Sequence, residues 1–294
     1  MIMNKAINLL APALLLVGMS HSAQSMANTC KDLPTYAELK AALQEVIPLN
    51  TVNLATGVSS DASLNGGVGA PEWLSLVDTS GTVCAVVHSL PEKTDVTTKL
   101  GIMHRPSSIF AAETANSYSR DGIGVSTANL YLHVANQQGF DAEISSGLLG
   151  LNSASIDVYG GKPTTWGTEK DPLVGKRVGG SFMLGGGLPL YNSQKHKVGA
   201  IGVSGDFRCT DHVIAWKVRE KLRDNAYNAH NNPFGLAFDP NDQQNPSNGT
   251  DAMIQDINPT TGKSASGFGY PVCLINNPTK ANDGGAIIRA NGNE

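Results

Sequence analysis

The sequence predicts an α+β domain built around a largely antiparallel sheet. Three observations lead there. Five short strand candidates carry the β pattern, helical patterns fall before, between and after them, and the strict strand–helix alternation of a parallel sheet is missing. The first two strands are Trp73 to Asp78 and Thr82 to His88, joined by Thr79-Ser80-Gly81, a hairpin signal. Ser155 to Tyr159, Gly180 to Leu184 and Val198 to Val203 are the others. Without strict alternation, a doubly wound nucleotide fold is not expected.

Pro34 to Pro48 carries Tyr36, Leu39, Leu43, Val46 and Ile47 at helical spacing. Pro106-Ser107-Ser108 offers a serine cap for a helix running to about Arg120. Ser126 or Thr127 opens a further helix to Gln138. Asp211 to Arg223 closes the series, with Asp211 at its positive end and Arg219, Lys221 and Arg223 toward its negative end. After Asp224 the chain turns rich in Asn, Pro, Gly and Asp, a composition that cannot build its own core. Residues 224–294 are therefore expected as a loop-rich extension lying on a 28–223 domain, tied down near Cys273, with a free tail after about Thr279.

Residues 1–27 read as a secretory signal peptide. Lys5 precedes an apolar run from Ala6 to Met19, and Ser25-Met26-Ala27 supplies small residues for cleavage after Ala27, with Ala23 as the alternative. That run is short for a bilayer span, and no later stretch reaches the roughly 20 apolar residues such a span needs. The expected location is periplasmic or secreted. Losing Lys5 moves the formal charge from -4 to -5, and with no Lys/Arg cluster nucleic-acid binding is not expected. Four cysteines, Cys30, Cys84, Cys209 and Cys273, fit two disulfides. The favoured pairing is Cys30 with Cys84 and Cys209 with Cys273, each linking a chain-end segment to the core. Metal ligation is the weaker rival, since no C-x-x-C pair occurs.

The glycine-rich stretch Val198-Gly-Ala-Ile-Gly-Val-Ser-Gly-Asp206 invites two chemical readings and supports neither. Gly199, Gly202 and Gly205 do not have the G-x-G-x-x-G spacing of a dinucleotide loop. Thr261-Gly262-Lys263-Ser264 imitates a P-loop end, but Ile257 stands where that motif needs glycine. A nucleophile elbow needs G-x-S-x-G, and Asp206 occupies the last position. No sequence pattern ties a histidine to Ser204. Gly199 and Gly202 fit a strand approached closely by backbone or by another subunit.

Gly187-Leu-Pro-Leu-Tyr191 followed by Lys197-Val-Gly-Ala-Ile-Gly-Val-Ser-Gly205 and Asp211 resembles the signature of the GlcG/HbpS-like haem-binding family. Val77-Asp-Thr-Ser-Gly81 resembles its hairpin, and Ala111-Ala-Glu-Thr-Ala115 stands at its alanine-rich helix, with Glu113 where a lysine is usual. The resemblance spans roughly residues 33–223. It implies a profilin-like fold, a five-stranded antiparallel sheet flanked by helices, assembled as a homo-oligomer and binding haem or a related tetrapyrrole. Some relatives meet the iron with a first-helix histidine, but residues 34–48 contain none.

Haem needs an apolar slot, an axial ligand and cations for its propionates. Covalent attachment through C-x-x-C-H is excluded by sequence. His104, flanked by Met103 and Arg105, His212 beside Asp211, and His133 on an apolar helix are the candidate ligands. Arg105, Lys176 and Arg177 are candidate carboxylate partners. His88 ends a strand and His196 sits in a polar turn. The rival function is an oligomeric structural or partner-binding module of the envelope without a cofactor. A hydrolase using Ser204 ranks third. No catalytic constellation is visible for haem degradation.

Overall fold

The computed structural model describes residues 30–60, 65–121, 123–132, 156–192, 196–224, 251–273 and 288–290. Strand β1 (Trp73–Asp78) lies between β2 (Val83–His88) and β4 (Lys197–Ser204), and β3 (Gly187–Tyr191) takes the outer edge beside β4. The order β2-β1-β4-β3 is antiparallel throughout. All six residues of β1 are buried, so helices cover both of its faces.

Helix α1 (Tyr36–Val46) is opened by a capping box, in which Thr35 and Glu38 exchange side-chain and backbone hydrogen bonds. It packs against the long helix α4 (Arg208–Asp224), and the pair lies against the sheet. A single turn, α2 (Val96–Lys99), capped by Asp95, leads toward α3 (His104–Tyr118). Helix α3 packs on β1, β3 and β4.

The seat of α3 explains the glycines. Ser75, Gly202 and Gly187 stand side by side in register on three adjacent strands. A Cβ on Gly202 would collide with Ser108 O and Ala112 N of α3, and one on Gly187 with Ala111 O. Ser75 Oγ meets Ser108 Oγ at 2.6 Å in the same row. The stretch is thus a bed of small residues on which a helix backbone lies directly.

The observed sheet departs from the expected one. It has four strands, not five. Residues Ile156–Tyr159 form a 3-10 turn, and the strand expected at Gly180 to Leu184 forms instead at Gly187–Tyr191. Pro189 within that segment argues against a strand in the middle of a sheet, but β3 is an edge strand, where a missing N–H is tolerated. Helix α3 begins earlier than expected, at His104, with Pro106 in its first turn, where no N–H partner is lost. Ser126 does cap, accepting from Asn129 N, but it opens a 3-10 turn, Thr127–Leu130. The remainder of the helix expected to Gln138, and His133 with it, lies outside the described residues.

The C-terminal segment is bound into the molecule. Ala252, Met253, Tyr270 and Cys273 belong to the same buried cluster as the sheet. Arg219 of α4 pairs with Asp251 in the interior, and Asn129 Nδ2 donates to Ala252 O at 2.9 Å. Strand β5 (Met253–Gln255) pairs in parallel with β6 (Ile288–Ala290). That pairing corrects the expected free tail: the chain returns near its end to add a strand. Cys30 is bonded to Cys84, and Cys209 in the first turn of α4 to Cys273. Each bridge closes a loop long enough to add about 2–4 kcal/mol by restricting the unfolded chain. Among the described residues no helix is long and apolar enough to cross a membrane.

Candidate functional site

At one end of the sheet, the end of β4, the start of β1 and the first turns of α3 and α4 converge. Trp73 lies opposite Ser204 in the ladder. Ser204 is 2% exposed, and its Oγ lies 2.9 Å from His104 Nδ1. His104 is half-buried in the first turn of α3. Burial lowers its pKa below the ordinary histidine value, opposed by the charge of Asp206.

Asp206 organises the loops around this point. Its carboxylate accepts from Val68 N (3.0 Å), Ala70 N (2.9 Å) and Phe207 N (2.7 Å). That clamp draws the glycine-rich loop Gly66-Gly67-Val68-Gly69 onto the turn after β4. Gly66, Gly67 and Gly69 all have positive φ, and the collision of any Gly67 Cβ with Asp206 and Thr210 makes glycine obligatory there.

Behind the turn, Glu72 and Asp211 are buried together. Asp211 sits in the first turn of α4 and accepts from Asp206 N at 3.0 Å. Glu72 is 0% exposed, and its Oε2 occupies the space a Gly205 side chain would need. Desolvation pushes both carboxyls well above the usual carboxylate range, and for Glu72 the neighbouring Asp211 and Asp206 push further in the same direction.

Four large hydrophobic side chains are exposed at this end. Ile102 and Met103 precede His104, and Val68 and Phe207 flank the Asp206 clamp. A small cleft, with room for about 20 Å³, opens beside Asp206, lined by Ile47, Asn65, Ala70, Thr210 and Ile214 among others. It is too small to enclose a tetrapyrrole.

The residues singled out from sequence separate into distinct places. His104 and Met103 stand together at this end, on a helix start rather than a loop. Asp211 belongs to the same end, as a buried capping acid. Its neighbour His212 is 0% exposed, beneath Gly185 and beside Trp216, and so turned into the interior. Arg105 is also fully buried: it is paired with Asp171, donates to Val158 O at 2.6 Å and stacks over Trp166. Lys176 and Arg177 are exposed at the opposite end of β1, where Arg177 donates to Ser80 Oγ at 2.9 Å in the β1–β2 hairpin. A six-residue strand, roughly 16 Å, lies between them and His104. His88 is a core residue, edge-on to Trp73, with burial lowering its pKa to about 3.

Sequence reasoning missed Glu72 and the Ser204–His104 contact. Glu72 is a lone acid before a strand, and the contact joins residues 100 positions apart. The contact does not revive the hydrolase. Ser204 is buried and ends a regular strand, without the strained, exposed turn a nucleophile elbow provides.

No family model matches the chain, and no curated protein matches it. Among solved structures it is similar to a PduOC–haem complex, with 18% identity over 63% of this chain and 90% of that one and a TM-score of 0.36. It is also similar to the Klebsiella pneumoniae protein ORFY, described as DUF336, with 15% identity over 64% of this chain and 88% of that one and a TM-score of 0.35. At that distance the chemistry of the site rests on this chain's own residues.

Proposed function

We propose that the protein binds haem or a related tetrapyrrole without covalent attachment, for storage, sensing or delivery, with His104 as the iron ligand. One observation carries this reading: a half-buried histidine with its Nδ1 engaged by Ser204, at an end of the sheet where four large apolar side chains are exposed. A neutral imidazole with one nitrogen engaged by a second group is the form that ligates metals. Ile102, Met103, Val68 and Phe207 supply the apolar contacts that a flat macrocycle needs.

The residues fit the group in part. Arg105 is committed to Asp171, and Lys176 and Arg177 lie at the far end, so these three do not serve the propionates. Bound haem would supply the redox and gas-binding chemistry; the chain's residues hold and orient it. Because these side chains are exposed, we propose that a second copy of the chain covers the ligand's other face. The two disulfides fit an oxidising compartment, and we place the protein in the periplasm or outside the cell.

Haemin titration of the oxidised protein, followed by its Soret band, tests this. Saturation near one haem per chain is expected, lost in His104→Ala and retained in His212→Ala. A titration no different from that of a control protein would overturn it in favour of a cofactor-free structural module.

A further inference from the structure

We propose that Cys30 is a site of covalent modification by low-molecular-weight thiols, reached by opening the Cys30–Cys84 bridge while Cys209–Cys273 stays closed. The site lies at the end of β1 opposite His104 and is independent of the haem reading.

The two bridges have different surroundings. Cys209 and Cys273 are 9% and 6% exposed and belong to the buried cluster around the sheet. Gln255 Nε2 lies 2.7 Å from Cys273 Sγ, and Met253 Sδ lies 4.0 Å from it. Exchange requires a thiolate to reach a sulfur, and this packing closes the approach. Cys30 and Cys84 are both partly exposed. Cys84 lies on β2, an outer strand of the sheet, and Cys30 in the turn before α1, where its carbonyl accepts from Leu33 N at 3.2 Å.

The surroundings also choose the sulfur that is attacked. Cys84 Sγ lies 3.5 Å from Thr82 O, a carbonyl to which a thiol at that position would donate. A carboxylate oxygen of Asp78 lies within 4.8 Å of both sulfurs. Asp78 is itself fixed, its Oδ1 accepting from Ser80 N (2.8 Å), Ser80 Oγ (2.7 Å) and Thr82 N (2.9 Å). Cys84 is thus equipped as the leaving sulfur, and Cys30 takes the adduct.

In the exchange a thiolate attacks Cys30 Sγ, the Cys30–Cys84 bond breaks, and a mixed disulfide forms on Cys30 as the electron pair leaves on Cys84. The Cys84 thiolate takes a proton from water. One disulfide replaces another, with no net oxidation or reduction. The charge of Asp78 disfavours the Cys84 thiolate, and the thiolate is the nucleophile. Re-closure, in which Cys84 would expel the thiol from Cys30, is slowed, so the adduct persists.

The test incubates the oxidised protein with a limiting amount of reduced glutathione, alkylates free thiols and maps the peptides without reduction. One glutathione per chain on Cys30, an alkylated Cys84 and an intact Cys209–Cys273 bridge are expected. Adducts shared equally between the two bridges, or none under conditions that open an exposed disulfide in a control peptide, would overturn the site. An adduct on Cys84 would overturn the choice of sulfur. With glutathione removed, re-closure is followed by loss of the alkylatable thiol. Asp78→Asn keeps an Oδ1 acceptor for the hairpin. It should speed re-closure about tenfold at neutral pH and move the pH profile to lower pH with its plateau unchanged. A merely structural defect would not shift that profile along the pH axis. If rate and profile match those of the unaltered protein, the role of Asp78 is wrong.

Discussion

Asp171 and Glu72 are both buried carboxylates, and the molecule neutralises them in opposite ways. Asp171 receives Arg105 through two nitrogens, together with Gly167 N (2.7 Å) and Leu173 N (2.9 Å). Asp251 is treated similarly, paired with Arg219, which also stacks over Trp216. Glu72 faces two more acids instead, and burial together with their charges pushes its pKa well above the carboxylate range. In the first arrangement the charge is balanced by a fixed, hydrogen-bonded partner. In the second it depends on the solvent. The difference shows that the His104 end of the sheet tolerates a proton-dependent structure that the ion-paired regions avoid.

The largest effect should come from breaking an ion pair. Asp171→Ala leaves Arg105 charged and buried without its partner, and should cost about 3–5 kcal/mol in urea unfolding. A loss under about 1 kcal/mol would mean that water reaches Arg105 and that the contrast with Glu72 is not one of burial.

Glu72→Gln should give a smaller effect of opposite sign. A carboxyl whose folded pKa is raised binds more protons folded than unfolded, so stability falls as pH rises above the unfolded value of about 4.3. The unaltered protein should therefore lose stability from about pH 4.3 upward. Glu72→Gln should match it at pH 4 and exceed it at pH 8, with a flatter profile. A parallel pair of profiles would show that Glu72 is ionised in the fold.

The exposed pair His196–Asp121, at 2.8 Å, is the smallest case. Solvent screens it, and His196→Ala should leave the melting temperature within measurement error. A clear drop would mean that surface pairing matters here more than burial predicts.

What the sequence made legible was the part governed by local pattern. β1, β2 and α1 follow from alternation and helical spacing, and the GlcG/HbpS-like resemblance rested on residues that proved to be the α3 bed and its strand. Pro189 hid β3 because a single sequence does not say which strand is at an edge. Within the extension only the tail was misread: its composition is that of a loop, yet Ile288–Ala290 pairs with Met253–Gln255. Of the proposed site, His104 and Met103 were singled out from sequence, where a sulfur and a histidine are neighbours. Ser204 and Glu72 were not, because their roles arise only when β1 and β4 pair and bring the ends of distant segments together.

The parallel pairing of Met253–Gln255 with Ile288–Ala290 also has a consequence in time. Residues near the end of the chain complete an interior begun more than two hundred positions earlier, and Cys209 has no partner until Cys273 has been made. A nascent chain released as far as α4 holds the sheet and its helices but leaves Arg219 exposed without Asp251. The order of synthesis therefore matters: α4 is made before the segment that supplies both its disulfide partner and the acid that pairs with Arg219.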